Sequence, residues 1–297
     1  MVKPPRRYPF VQYDVFSSEP FAGNPLAVLP DGRGLSDQEM QAIAREMNLS
    51  ETTFVLPRDA ATERERGIRV RIFTVHEELP FAGHPTLGTA FHLRGTTGTP
   101  EVVLDLTVGK VPVRFADEPG KPPFGEMTQM DPEFGPKHDR EAVVRACGLR
   151  DGDIDPSLPI ETVSTGVAFT VVPLRGLDTI RNLRVDASGS ADYLARSGGK
   201  FFYFVSRQSM GPATRLHARM LFYGGEDPAT GSAAGCAAAW MVAHGVAQSD
   251  ERVLIEQGVE MLRPSRIFVR AARQDDRVVN VRVGGNVVQT VSGEIFL

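Results

Sequence analysis

Cysteine is scarce in this chain: there are two in 297 residues, Cys147 and Cys236, and neither lies in a C-x-x-C pair. The six histidines add no ligand spacing, so a zinc ribbon or a dithiol redox centre is excluded and no metal is expected. A single Cys147–Cys236 bridge stays open on spacing alone, with a reducing compartment the simpler reading. Long apolar runs are also missing. No stretch of about 18 apolar residues occurs, so no membrane contact is expected. The first residues carry no apolar leader core, which points to the cytoplasm. Basic blocks are absent beyond 3-KPPRR-7 and the net charge is −4, so no nucleic-acid partner is expected. Neither a GK[ST] phosphate loop nor a G-x-G-x-x-G turn is present. What remains is 41% hydrophobic and 24% charged residues, the composition of an ordinary globular protein whose length favours two domains.

Strands and a few helices alternate along the chain. Strand composition marks 10–18, and a Gly/Asn/Pro turn at 19-EPFAGNPLAVLP-30 leads into a short apolar strand. Ser36 and Glu39 form a capping-box pattern ahead of Met40, Ile43, Ala44 and Met47 at helical spacing. Strands follow at 49–57, 68–74 and 101–115, with a helix starting at Pro85 and reaching about Leu93. The stretch 116–136 is rich in Pro, Gly and charge and reads as the crossing between halves. This places the first half at 1–118, joined by the last strand 287–297, and the second at 119–286. The second half repeats the inventory. Helices are expected near 138–147 and 189–197, with strands at 166–174, 201–207 and 216–222. An Ala-rich helix covers 233–245, and a four-stranded meander runs from 252 to the end.

Two turns match each other. Aligning 83-GHPTLGTA-90 with 226-EDPATGSA-233 superposes Pro85 on Pro228, Gly88 on Gly231, Thr89 on Ser232 and His84 on Asp227, about half the chain apart. Each turn opens a helix read as buried, and the Ala-rich one after Asp227 has small residues nearly all round, of the kind that protein surrounds. A duplicated fold follows, with two helix N-termini addressing one site. Unpaired N–H groups and a partial positive charge there favour a small carboxylate. Gly83, Gly231 and Ser232 would allow a ligand close to the backbone. The plainer alternative is a pair of tight helix entries capped by Thr or Ser. Glu51 also lies beside apolar residues, where burial would raise its pKa and suit it to exchange protons. The alternative for Glu51 is the exposed start of a strand. His76, His92, His138, His217 and His244 read as structural.

Together, 14-DVFSSEPFAGNPLAV-28, 48-NLSETTF-54, RIFT…ELPFAGHPTLGTA and GEDPATGSAAG resemble the PhzF family of phenazine-biosynthesis-like proteins. The resemblance covers most of the chain in order. It implies the α/β (α+β) diaminopimelate epimerase-like fold: two pseudo-symmetric halves, each a curved, mostly antiparallel sheet around a central helix, with the site in the cleft between them, in a homodimer. It further implies an isomerase that needs neither metal nor organic cofactor, of the trans-2,3-dihydro-3-hydroxyanthranilate isomerase type. Glu51 would carry the proton, with His84 and Asp227 orienting the substrate and Ser50, Gly83, Gly231 and Ser232 binding it. Superfamily relatives that use two thiols differ: the corresponding positions here are Ala82 and Asp227. Val75 stands where a proline is expected. The same chemistry on another amino-acid-derived metabolite, or a non-catalytic binding protein, are the alternatives.

Overall fold

A computed structural model describes residues 5–117, 122–222 and 225–297. The chain divides into two compact units, Met1–Met127 with Gly285–Leu297, and Thr128–Gly284. The boundary expected at 118–119 lies outside the described residues. The division itself falls after Met127 and again after Gly284.

Unit 1 runs β1 (Arg7–Val15), β2 (Asn24–Leu29), α1 (Asp37–Met47), β3 (Glu51–Leu56), α2 (Ala60–Arg66), β4 (Ile68–Phe73), β5 (Glu78–Leu79), α3 (Gly83–Thr97), β6 (Glu101–Leu106), β7 (Gly109–Ala116) and β8 (Phe124–Thr128). Strand β2 pairs antiparallel with β1 and parallel with β3. Then β3–β4 is antiparallel, β4–β6 parallel, and β6–β7 and β7–β8 antiparallel. Parallel neighbours need a crossover: α1 joins β2 to β3, and β5 with α3 joins β4 to β6.

Unit 2 runs β9 (Glu133–Lys137), α4 (Arg140–Cys147), β10 (Glu161–Ser164), β11 (Ala168–Leu174), α5 (Leu177–Arg181), α6 (Ala187–Ser197), β12 (Phe201–Ser206), β13 (Thr214–Phe222), β14 (Gly225–Asp227), α7 (Gly231–Ala243), β15 (Val253–Gln257) and β16 (Ser265–Gln274). The pairing sequence of unit 1 recurs. Strands β10–β11 are antiparallel, β11–β12 parallel, β12–β13 antiparallel, β13–β15 parallel and β15–β16 antiparallel. The short strand β14 sits on β13 as β5 sits on β4. By this topology α7 is the counterpart of α3, and β11 is the counterpart of β2. The segments 166-GVAFTVVPL-174 and 51-ETTFVLP-57 are alike in sequence, yet they belong to β11 and β3, which are not equivalent in this topology.

The N-terminal half of α3, with Leu93, and nearly all of α7 are buried, each packed on strands of its own unit. Helix α3 packs against β1, β2, β3, β6 and β7, and α7 against β10, β11 and β16. Small residues permit this closeness: a Cβ on Gly88 would stand 2.6 Å from Leu26 Cδ2 and 2.8 Å from Val15 Cγ2. On another face of unit 1, α1 contributes Met40, Ile43 and Ala44 to a cluster with Leu29, Phe54 and Phe73. The expected capping box is present, with Ser36 and Glu39 exchanging bonds.

Several expectations need correction. The 116–136 stretch holds two strands, β8 and β9, where Pro and Gly suggested only a crossing. Strand β9 includes Pro136 and pairs with β10, which suits a residue that cannot donate to a ladder. The last two expected strands are one, β17 (Arg277–Phe296), which passes through the Gly284–Gly285 division and pairs β16 first and β1 afterwards. Helix α2 was not anticipated because it buries no side chain and so shows no apolar period; Asp59 capping Ala61 and Thr62 is its signal. The helix holding Cys147, which reads from sequence as a surface helix, turns that thiol inward: α4 buries Val143, Val144, Ala146 and Cys147. Both thiols are free.

Candidate active site

Asn48 ends α1 in a left-handed conformation at φ 51°, a shape Asn tolerates better than most side chains. Two residues later Ser50, half-buried, delivers the chain into β3, whose first residue is Glu51. The parallel register sets Glu51 beside Leu26 of β2. Helix α3 meanwhile begins at Gly83, two residues before Pro85, so His84 and Pro85 both lie in its first turn. Proline is tolerated there because a first-turn N–H has no intrahelical acceptor.

This brings two of the expected residues together. His84 Nε2 lies 3.4 Å from Glu51 Oε2, with side-chain exposures of 4% and 14%. The other imidazole nitrogen, Nδ1, lies 3.1 Å from Asn24 Nδ2. Burial pushes the His84 pKa down to about 3, so the ring is neutral near pH 7. No side chain caps α3; the Thr86 hydroxyl instead donates back to the Ala82 carbonyl at 2.6 Å. The plainer alternative of a Thr-capped entry is thus set aside for α3. The terminus keeps the partial positive charge that favours an anion. A carboxylate beside a neutral imidazole at such a terminus can take a proton from carbon and return it.

In unit 2, Asp227 closes β14 opposite Met220 of β13 and is buried. Its Oδ2 accepts a 2.6 Å hydrogen bond from the Thr230 hydroxyl. Gln257 at the end of β15 secures both partners. Its Nε2 donates to the Asp227 carbonyl at 2.7 Å and to Thr230 Oγ1 at 2.9 Å, while its Oε1 accepts from Thr230 N at 3.2 Å and from the Tyr203 hydroxyl at 3.0 Å. With Oγ1 receiving from Gln257, the Thr230 proton is free to point at the Asp227 carboxylate. That commitment explains why Thr230, the N-cap residue of α7, makes no cap bond. The turns also differ in extent: α7 begins at Gly231, with Ser232 next, and leaves Asp227 and Pro228 outside the helix, whereas His84 and Pro85 lie inside α3. Gly258, at φ +75°, backs this loop, since a Cβ there would meet the Pro228 and Arg263 carbonyl oxygens at 2.5 Å.

Sequence reasoning missed Asn24, Thr230 and Gln257. A signal for the first was present: 21-FAGNP-25 and 81-FAGHP-85 differ at one position, and the two differing side chains are the ones that meet. Gln257 gave none, because it is separated from Asp227 by a whole helix. Two further histidines are tied into structure. His217 sits between Glu256 at 2.8 Å and Glu260 at 3.1 Å, and burial lowers its pKa less than those two carboxylates raise it. His244 pairs with Glu161 at 2.6 Å. Burial pushes the Cys147 thiol up to about 12 and Cys236 up to about 11, unsuited to thiolate chemistry at neutral pH. Among the described residues no three His, Cys, Asp or Glu side chains cluster as metal ligands. No helix among them is long and apolar enough to cross a membrane.

Known proteins share this architecture. The family model described as phenazine biosynthesis-like protein matches residues 13–293. The chain is 36% identical to trans-2,3-dihydro-3-hydroxyanthranilate isomerase of Pseudomonas aeruginosa, over 97% of this chain and 99% of that one. It is also 36% identical to an uncharacterized isomerase of Mesorhizobium japonicum, over 97% and 98% of the two chains. Among solved structures, a PhzF-family phenazine biosynthesis protein of Bacillus anthracis superposes with a TM-score of 0.87 at 25% identity, covering 98% of this chain and 100% of that one.

Proposed function

Because the chain belongs to the PhzF family of phenazine biosynthesis-like proteins, we propose that it is an isomerase that relocates a proton between two carbons of a small carboxylate-bearing substrate. Glu51 is the proton carrier. As a carboxylate it takes a proton from one carbon, the released electron pair moves into an adjoining double bond, and the carboxyl returns a proton at the far end. Atoms and electrons balance within the substrate, so the step requires no oxidant or reductant; that it also uses neither metal nor organic cofactor is part of the proposal, drawn from the family. His84 orients the reacting face and supports the charge on Glu51. Asp227 is assigned to holding the same substrate, on the strength of its motif and of the family. The N-terminal turn of α3, with Ser50 and Gly83, is assigned to the carboxylate, and Gly231 and Ser232 of α7 are assigned to substrate binding on the strength of their motif and of the family. A homodimer is part of the same reading and is read out by sedimentation.

The observation that carries this reading is the half-buried Glu51 at 3.4 Å from the buried His84, beside a helix terminus without a side-chain cap. The test is incubation with trans-2,3-dihydro-3-hydroxyanthranilate in deuterated water, followed by absorbance and mass spectrometry. Isomerisation with solvent deuterium entering the product carbon supports it. Loss of the substrate's hydroxyl without isomerisation would sink it. An inert outcome with that compound, and deuterium entry into a different amino-acid-derived carboxylate, would keep the chemistry and change the substrate.

A further inference from the structure

Asn24 has no part in the chemistry just described, yet it is wholly buried and touches His84. Its direction is over-determined. It is the first residue of β2 and pairs with Val15 of β1. Gly23 before it takes φ +70°, and a Cβ there would lie 2.3 Å from the Val15 carbonyl oxygen, so only glycine fits. One turn earlier, the Phe21 N–H donates to Asp14 Oδ2 at 2.6 Å and fixes the loop. Pro25 restricts the backbone on the other side.

The atom that Asn24 presents matters. A side-chain amide nitrogen donates and does not accept. Facing His84 Nδ1 at 3.1 Å, it requires that nitrogen to be the bare acceptor. A neutral imidazole carries one ring proton, which then sits on Nε2, the nitrogen 3.4 Å from Glu51 Oε2. An N–H close to a carboxylate, even without a formed hydrogen bond, turns its positive end to the charge and favours the ionised, proton-accepting form. The opposite tautomer would aim a lone pair at the carboxylate and favour the protonated acid. We propose that Asn24 is a positioning residue that fixes His84 as the Nε2–H tautomer and so keeps an N–H, not a lone pair, beside the Glu51 carboxylate. The catalytic consequence rests on Glu51 as the proton carrier; the tautomer assignment does not.

The experiment reads the tautomer directly. Protein labelled with 15N-histidine is studied by long-range proton–nitrogen correlation at pH 7, with His84 assigned by the loss of its signals in His84→Gln. The wild type is expected to show a protonated Nε2 and a bare Nδ1; a protonated Nδ1 overturns the proposal. Asn24→Asp replaces the donor by an acceptor of the same shape. It is expected to draw the proton to Nδ1 and lower kcat/KM by roughly 10- to 100-fold, as loss of a ligand-orienting partner does elsewhere. Should that variant fail to fold, Asn24→Leu removes the donor without adding charge, and a mixture of tautomers is expected. An unchanged Nε2–H spectrum in either folded variant overturns the proposal. An active Glu51→Gln enzyme with the Nε2–H tautomer intact would instead defeat the acid/base reading alone.

Discussion

His84 has a pKa lowered by burial to about 3, against an ordinary value of 6.5, and this difference fixes a pH dependence. Above pH 6.5 the ring is neutral in folded and unfolded chains alike, and its contribution to stability is complete. As pH falls below that value the unfolded chain binds a proton that the folded chain refuses. Stability then drops by about 1.4 kcal/mol per pH unit until about pH 3. The expected outcome for His84→Gln is a flatter acid limb. Between pH 7 and pH 4, wild type should lose up to about 3 kcal/mol more than the variant in urea titrations; equal losses would mean that the ring protonates in place. This placement of a titratable group was only half legible in the sequence. The Gly–His–Pro turn marked His84 as unusual, and NLSETTF marked Glu51. Their meeting depends on the β2–β3 register, and Asn24 enters only through a pentapeptide repeat whose meaning is three-dimensional.

Helices α3 and α7 are short of side-chain bulk where strands press on them, and this closeness positions the site. Gly88 lies one turn beyond His84. Gly88→Ala would push Leu26 and Val15, both completely buried, away from α3. A cost of about 1–3 kcal/mol is expected, as for other overpacked cores, with a rise in KM because Leu26 is the register partner of Glu51. Chemical denaturation and steady-state kinetics read both effects, and a neutral result would show that β2 yields freely. Sequence patterning identified α3 by the helix-starting Pro85 and α7 by small residues nearly all round its circumference. It failed for α2, which lies on the surface with no buried face, and for β8 and β9, where Pro and Gly composition hid strands of five residues each. Composition signals a turn well only when the residues lie between strands and not within them.

Over the whole chain, the matched turns half a chain apart correspond to a full repetition of strand pairing, β1–β2–β3–β4–β6–β7 in one unit and β10–β11–β12–β13–β15–β16 in the other. The duplication was legible because helix-entry motifs constrain backbone and side chain together; the single strand β17 was not, because Gly284–Gly285 reads as a turn but continues as extended chain. That strand supplies the partner of β1 from Arg7–Phe296 to Val15–Val287. Deleting 286–297 should leave β1 as a bare edge, lower the melting temperature and cause aggregation on size exclusion; a monodisperse protein with unchanged melting would show that the closing strand is dispensable. The central claim is that Glu51 carries the proton. The most direct measurement is turnover of the wild type and Glu51→Gln on one isomerised substrate, with circular dichroism confirming an equal fold. The account predicts a loss of at least about 100-fold in kcat, the scale of a removed general base, and full turnover in Glu51→Gln would contradict it.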